Sequence, residues 1–199
     1  MILNSQMLAA LIGSRICHDL ISPVGAIQNG IELLAMEGRK GPEMTLIEDS
    51  VLNASARIRF MRVAFGMAGT GQRFGRAEVV SILDDMARAG RLRYDWSVDG
   101  DAPRSAVQEA FLAILCLESG MPRGGTISVT HSAKGWQISG PADPMRPDPD
   151  LWEILAGQPV NAPTILPAHV QFAMLPLLLN DRGATADVSA EEGMVHIRL

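Results

Sequence analysis

His18 and Asp19 are the residues of this chain whose types and spacing point most directly to chemistry. A neutral imidazole is a nucleophile at one ring nitrogen when its other nitrogen is held by a hydrogen bond, and an adjacent carboxylate can supply that bond. Pro23 follows five positions after the histidine. It removes the N–H that the carbonyl of Asp19 would use in a helix and so predicts a kink there. Ser22, Gly25, Ala26 and Asn29 then fall at four, seven, eight and eleven residues from His18, on its face of a helix. Exposed helix positions usually favour long charged residues, and glycine costs about 0.5–1 kcal/mol there. A strip of small residues lets a second protein approach closely; facing a neighbouring helix of the same chain is the alternative.

These residues need a helical scaffold, and the apolar pattern supplies one. Leu20, Val24, Ile27, Ile31 and Leu34 recur at spacings of four, three, four and three, with His18 facing away from that seam. The first helix is predicted from about Ser5 to Glu37, capped by Asn4 or Ser5. A break at residues 38–42 (Gly-Arg-Lys-Gly-Pro) precedes a second helix over about Glu43–Phe65, with a seam of Ile47, Val51, Ala54, Ile58, Met61 and Phe65. One hairpin cannot bury two such seams, so a homodimer completing a four-helix bundle is expected. In an antiparallel hairpin turning near residue 40, His18 lies level with residues 58–62. Arg59 and Arg62 there, and Arg15 one turn before His18, are the cations nearest its level, or else solvated surface arginines.

Beyond a glycine-rich linker the pattern turns mixed. Helices are expected at Ala77–Gly90, Pro103–Ser119 and Val170–Asn180, the last broken by Pro176, with a helical turn at Leu151–Ala156. Strands are expected at Leu92–Val98, Thr126–His131, Trp136–Ser139, Ala186–Ser189 and Met194–Leu199, and a loop at Pro141–Pro149. The organisation is thus α+β: a helical hairpin over residues 1–69 followed by an α/β domain over 75–199.

Composition narrows the partners. The 199 residues carry a net charge of −5 and no basic run, which argues against nucleic acid. Without a signal peptide or a membrane-length apolar run, a cytoplasmic chain is expected. Cys17 and Cys116 have no metal-ligand spacing and read as reduced thiols. His131, His169 and His196 have no partner pattern, and Trp96, Trp136 and Trp152 read as core anchors of the second domain.

The string from His18 to Pro23 resembles the H-box of sensor histidine kinases, and together with residues 29–34 (Asn-Gly-Ile-Glu-Leu-Leu) it more closely resembles the ChpT-type histidine phosphotransferases of bacterial phosphorelays. The resemblance implies a dimerising hairpin followed by a degenerate GHKL ATPase-like domain. It implies His18 as phosphoacceptor, oriented by Asp19, with Arg15, Ser22, Gly25, Ala26, Asn29, Arg59 and Arg62 as the docking face. The partners it implies are response-regulator receivers and the receiver of a hybrid histidine kinase.

The second domain resembles GHKL folds in the helix Val107–Ser119 and the following turn Met121–Ile127, but its chemistry is missing. Leu112 and Cys116 stand where kinases place two Mg²⁺-binding asparagines, and neither offers oxygen to a hard cation. Residues 140–144 (Gly-Pro-Ala-Asp-Pro) replace the adenine-binding Asp-x-Gly-x-Gly turn. Residues 162–167 (Ala-Pro-Thr-Ile-Leu-Pro) replace a glycine-rich lid, and prolines have no N–H to give phosphate. The expectation is therefore a shuttle with no ATP and no cofactor of its own, Mg²⁺ coming from the receiver. A divergent kinase core and a non-phosphorylated dimeric scaffold are the competing readings.

Overall fold

The structure is a computed structural model that describes residues 21, 24–25, 27–36, 42–133, 135–146, 148–158 and 167–199. By its internal contacts the chain forms two compact units. One comprises residues 1–67 and 78–90, the other residues 68–77 and 91–199. The body of the third helix thus groups with the helical unit, whereas the sequence boundary at 69–75 assigns it to the second domain.

The helical unit contains α1 (residues 27–36), α2 (Pro42–Phe65) and most of α3 (Arg76–Ala89). Proline at the first residue of α2 is compatible with a helix start, where its missing N–H has no intrahelical partner. In α3, Val79, Ile82, Leu83 and Met86 are buried at helical spacing, with Glu78 in the first turn and Arg88 in the last, both favourable to the helix dipole. The order of neighbours reverses between α1 and α2. Gln28 shares a cavity with Leu52, Asn53 and Ala56, while Glu32 shares one with Glu48 and Leu52.

The expected seam is buried only in part: Ile31 of α1 and Ile58 of α2 belong to it, while the most buried face of α2 is another one. Among the described side chains of α2, Ala56, Phe60, Val63 and Ala64 are buried, with Ile58 just reaching burial. At about 100° per residue, Ala56, Phe60 and Val63 lie on roughly the opposite side of α2 from Ile47, Ala54 and Met61. Ile47 and Met61 are 46% and 43% exposed. On α1 only Ile31 is buried, while Ile27 and Leu34 are exposed. Helix α2 therefore has two apolar faces, one used within the chain and one turned outward.

The α/β unit is built on a five-stranded sheet. A two-residue ladder of β1 (Arg73–Phe74) with β3 (Ala102–Pro103) accompanies it. The sheet contains β2 (Leu92–Ser97), β4 (Gly125–Ser132), β5 (Gly135–Gly140), β6 (Asp187–Glu191) and β7 (Met194–Arg198), in the order β2-β4-β5-β7-β6. The pair β2–β4 is parallel, and the other pairs are antiparallel. Strand alternation sends Ile127, Val129, Ile138, Val195 and Ile197 into the core. Helix α4 (Arg104–Ser119) packs on β4 and β5, and α6 (Val170–Asp181) packs on α4 and on α5 (Pro149–Leu155). The three tryptophans are buried as expected, Trp96 against Phe111 and Trp136, Trp152 against Phe172.

Two expectations are corrected. Pro176 does not break α6, which runs through it. The lost hydrogen bond and ring clash cost about 3 kcal/mol. Phe172, Leu175 and Leu179 are fully buried on the same helix, and each contributes about 1.5–3 kcal/mol. Burial wins. The turn expected at Leu151–Ala156 is a seven-residue helix, started by Pro149 and capped by the Asp148 carboxylate, which accepts from the Asp150 N–H at 3.1 Å.

Candidate functional site

Of the residues the sequence singles out, Arg15, His18, Asp19, Ser22 and Ala26 lie outside the described residues, as do Pro23 and Cys17. Gly25 is half-buried and Asn29 exposed on the first helix. A Cβ built at Gly25 meets no atom within 4 Å, so the backbone there is open to an approaching surface.

The two arginines of α2 have different surroundings. Arg59 is 41% exposed at its side chain and ion-paired with Asp85 of α3, and its Nη2 donates to Ser81 Oγ at 3.4 Å. The other Asp85 oxygen accepts from Arg88, so one carboxylate joins two guanidiniums. Arg62 is exposed in the last turn of α2. Asp85 was missed in the sequence. The Asp85–Arg88 pair has a readable i,i+3 spacing, but the link to Arg59 spans 26 residues and appears only once α2 and α3 are packed. Gln28, Asn53, Ser55, Arg59, Asp85 and Arg88 are among the residues that line a cleft of about 770 Å³ in this unit.

Of the positions expected from the resemblance to replace kinase nucleotide boxes, residues 162–166 lie outside the described residues, and those described are core and turn residues. Leu112 and Cys116 are completely buried, and burial pushes the Cys116 thiol well above its ordinary pKa, which leaves it unreactive. Gly124 and Gly125 both adopt positive φ, +77° and +139°. A Cβ at Gly124 would come within 2.4 Å of the Arg91 carbonyl oxygen. The glycine pair thus lets the chain leave α4 and enter β4 directly beside the start of β2. Asp143, the acidic residue after β5, is used locally: its Oδ1 accepts from the Met145 N–H at 2.9 Å. The Trp152 indole donates to the Arg146 carbonyl at 2.8 Å, tying α5 to this turn. His131 and His196 lie on strands and His169 at the start of α6.

Among the described residues no cluster of three acidic, histidine or cysteine side chains has metal-binding geometry, and no helix is long and apolar enough to cross a membrane.

A helical unit with an outward apolar face and an α/β unit with a packed core are the two parts of the chain, and the comparisons assign them to the phosphotransferases. Residues 76–194 match the family model described as the histidine phosphotransferase C-terminal domain. The chain is 33% identical over 179 residues to protein phosphotransferase ChpT of Brucella abortus (strain 2308), covering 84% of this chain and 85% of that one. A solved structure of a bacterial phosphotransferase is 30% identical and superposes with a TM-score of 0.68 over 99% of this chain and 97% of that one. The chain belongs to the ChpT-type histidine phosphotransferase family, as its H-box-like string implied, and its activity is phosphorelay phosphotransfer.

Proposed function

We propose that the chain receives a phosphoryl group on His18 from the aspartyl phosphate of one receiver domain and delivers it to the aspartate of another, without using ATP. The imidazole Nε2 attacks phosphorus, the P–O bond to the aspartate breaks and the carboxylate departs; delivery runs the same exchange in reverse. Asp19 accepts a hydrogen bond from the other ring nitrogen and holds the reactive tautomer. The receiver supplies the aspartate and its Mg²⁺. Phosphoryl transfer needs mainly positioning and charge neutralisation, so this chain contributes His18, Asp19 and a docking face of Arg15, Ser22, Gly25, Ala26, Asn29, Arg59 and Arg62.

The observation that carries the ATP-free reading is the complete burial of Leu112 and Cys116, where the kinase resemblance requires oxygen ligands for Mg²⁺. The homodimer, with residues 1–69 as its bundle and 75–199 as the degenerate GHKL-like domain, is supported by the second apolar face of α2. Ile47 and Met61 are exposed in one chain, and a second copy would cover them.

The test is a relay reconstituted from a phosphorylated receiver, this protein and a second receiver. Acid-labile, base-stable label on the wild type and none on His18→Gln is the expected result; relay persisting in His18→Gln would refute it. Incubation with labelled ATP and Mg²⁺ alone should leave the protein unlabelled. Label on His18 in that reaction would mean a kinase.

A further inference from the structure

Arg59 is tied to a helix other than its own. Its Nη1 donates to Asp85 and its Nη2 to Ser81 Oγ at 3.4 Å, both on α3, and the second Asp85 oxygen accepts from Arg88. Arg57, two residues earlier, donates instead to Asn53 of α2 itself at 3.0 Å. The pair of Arg59 with Asp85 is partly open to water, and such a pair adds little to stability. What it changes is freedom. A lone arginine samples many rotamers, whereas a planar fork held at both terminal nitrogens samples few.

The direction in which the fork is held bears on the reaction. At about 100° per residue, Arg59 lies within about 40° of Leu52 and Ser55. That side of α2 faces α1: Leu52 shares one cavity with Ile31 and Glu32, and another with Gln28 and Arg59. Arg59 thus stands between α1 and α3, near the level that the sequence assigns to His18. Among the described residues its two contacts use one N–H on each terminal nitrogen, so three of its five N–H groups remain.

We propose that Asp85 is a positioning residue for phosphoryl transfer. With Ser81 it fixes the Arg59 guanidinium on the α1 side of α2, so that the positive charge is in place when the phosphoryl group passes through His18. The proposal rests on the His18 relay reading and adds to it a residue from a third helix. A cation oriented before reaction lowers the barrier more than a mobile one, because nothing has to reorganise as charge moves between aspartate and imidazole. Charge alone predicts the opposite sign. Asp85 is an anion, and its removal would speed transfer of an anionic group if it did nothing else.

The experiment follows single-turnover transfer from a phosphorylated receiver to the full-length protein as receiver concentration is varied. Asp85→Ala should slow the rate at saturation about tenfold without raising the half-saturating concentration. Arg59→Met should slow it about a hundredfold. Because Asp85 acts through Arg59, the double variant should be no slower than Arg59→Met alone. A rate in Asp85→Ala equal to or above that of the wild type overturns the proposal. So does a further loss of the same size on adding Asp85→Ala to Arg59→Met, since Asp85 would then act without Arg59. Tm and dimer mass should match the wild type. If Asp85→Ala lowers either, Asp85→Asn, which keeps the size of the side chain, takes its place in the same cycle with the same expected loss, and a normal rate there overturns the proposal. The relay reading fails separately: His18→Gln protein that still relays refutes the carrier whatever Asp85 does. Normal transfer by Asp85→Ala in a relay that requires His18 overturns the positioning role alone.

Discussion

The α/β unit and the helical unit treat their apolar side chains in opposite ways. In the first, Phe111, Ile127, Ile138, Phe172 and Leu175 are completely buried, and the sheet and its helices close on one another. In the second, Ile27, Leu33, Leu34, Ile47, Leu52 and Met61 remain exposed although the helices are formed. A side chain of this size contributes about 1.5–3 kcal/mol only when it leaves water. The first unit buries its own apolar side chains, and the second leaves a surface that the proposed dimer and receiver would cover. For a protein that hands a phosphoryl group between partners, the unfinished surface belongs on the unit that carries the H-box-like string.

The largest effect should come from the closed unit. Phe111→Ala removes a ring with no exposure that meets Trp96 edge-on at 6.4 Å. It should cost about 3–5 kcal/mol in urea unfolding, and the folded fraction should still relay. A loss below about 1 kcal/mol would mean that this core is not the rigid half of the pair.

Next comes the ion pair that ties α4 to the end of α6. Glu109 is 6% exposed and accepts from Arg182 Nε at 3.2 Å and Nη2 at 3.0 Å. Burial raises the Glu109 pKa, and the Arg182 hydrogen bond and charge pull it back only in part. The folded state therefore holds this proton more tightly than the unfolded chain. The favourable contribution is present at acidic pH and is lost as pH rises from the ordinary carboxylate range through the raised value. Arg182→Met removes the compensation. It should cost about 2 kcal/mol at neutral pH, less than for a fully buried pair because the arginine is 47% exposed, and should steepen the fall of stability with pH. Glu109→Gln should flatten it. Equal slopes in wild type and Arg182→Met would contradict this reading.

A smaller effect on folding, and a larger one on assembly, is expected at Met61. Met61→Glu puts a charge on the outward face of α2, where the side chain is already 43% exposed. Its effect on the fold of one chain should stay near 0.5 kcal/mol, while light scattering should show the mass falling toward that of a single chain. A stable dimer would place the contact elsewhere.

How far the sequence was legible follows the same division. In the α/β unit the alternation at Thr126–His131 and Trp136–Ser139 led to the observed hairpin, because each strand has one wet face and one dry face. Pro176 misled, since local propensity carries no record of how much apolar surface a helix will bury. In the helical unit the period of α2 was legible, but the choice of face was not. Phe60 and Val63 share the helix with Ile47 and Met61, and only the packing of the chain decides which pair it covers. His18 and Asp19 are proposed for the chemistry from type and spacing alone and lie outside the described residues, whereas Asp85 became visible only through its long-range contact with Arg59.

The smallest effect on stability, and the sharpest on function, is expected at Gly25. An added Cβ meets nothing within 4 Å, so Gly25→Arg should fold normally and should even gain about 0.5–1 kcal/mol of helix propensity. The added guanidinium would stand on the proposed docking face, seven residues from His18, and should slow transfer from a receiver at least tenfold while the dimer persists. Gly30→Arg is the matched control: its Cβ is equally unobstructed, but it lies about 100° from Asn29 around α1. If docking uses the face of Gly25 and Asn29, the first variant should lose transfer well beyond the second. Equal transfer by both would remove the small-residue strip from the docking surface and leave the partner to be held elsewhere on the open unit.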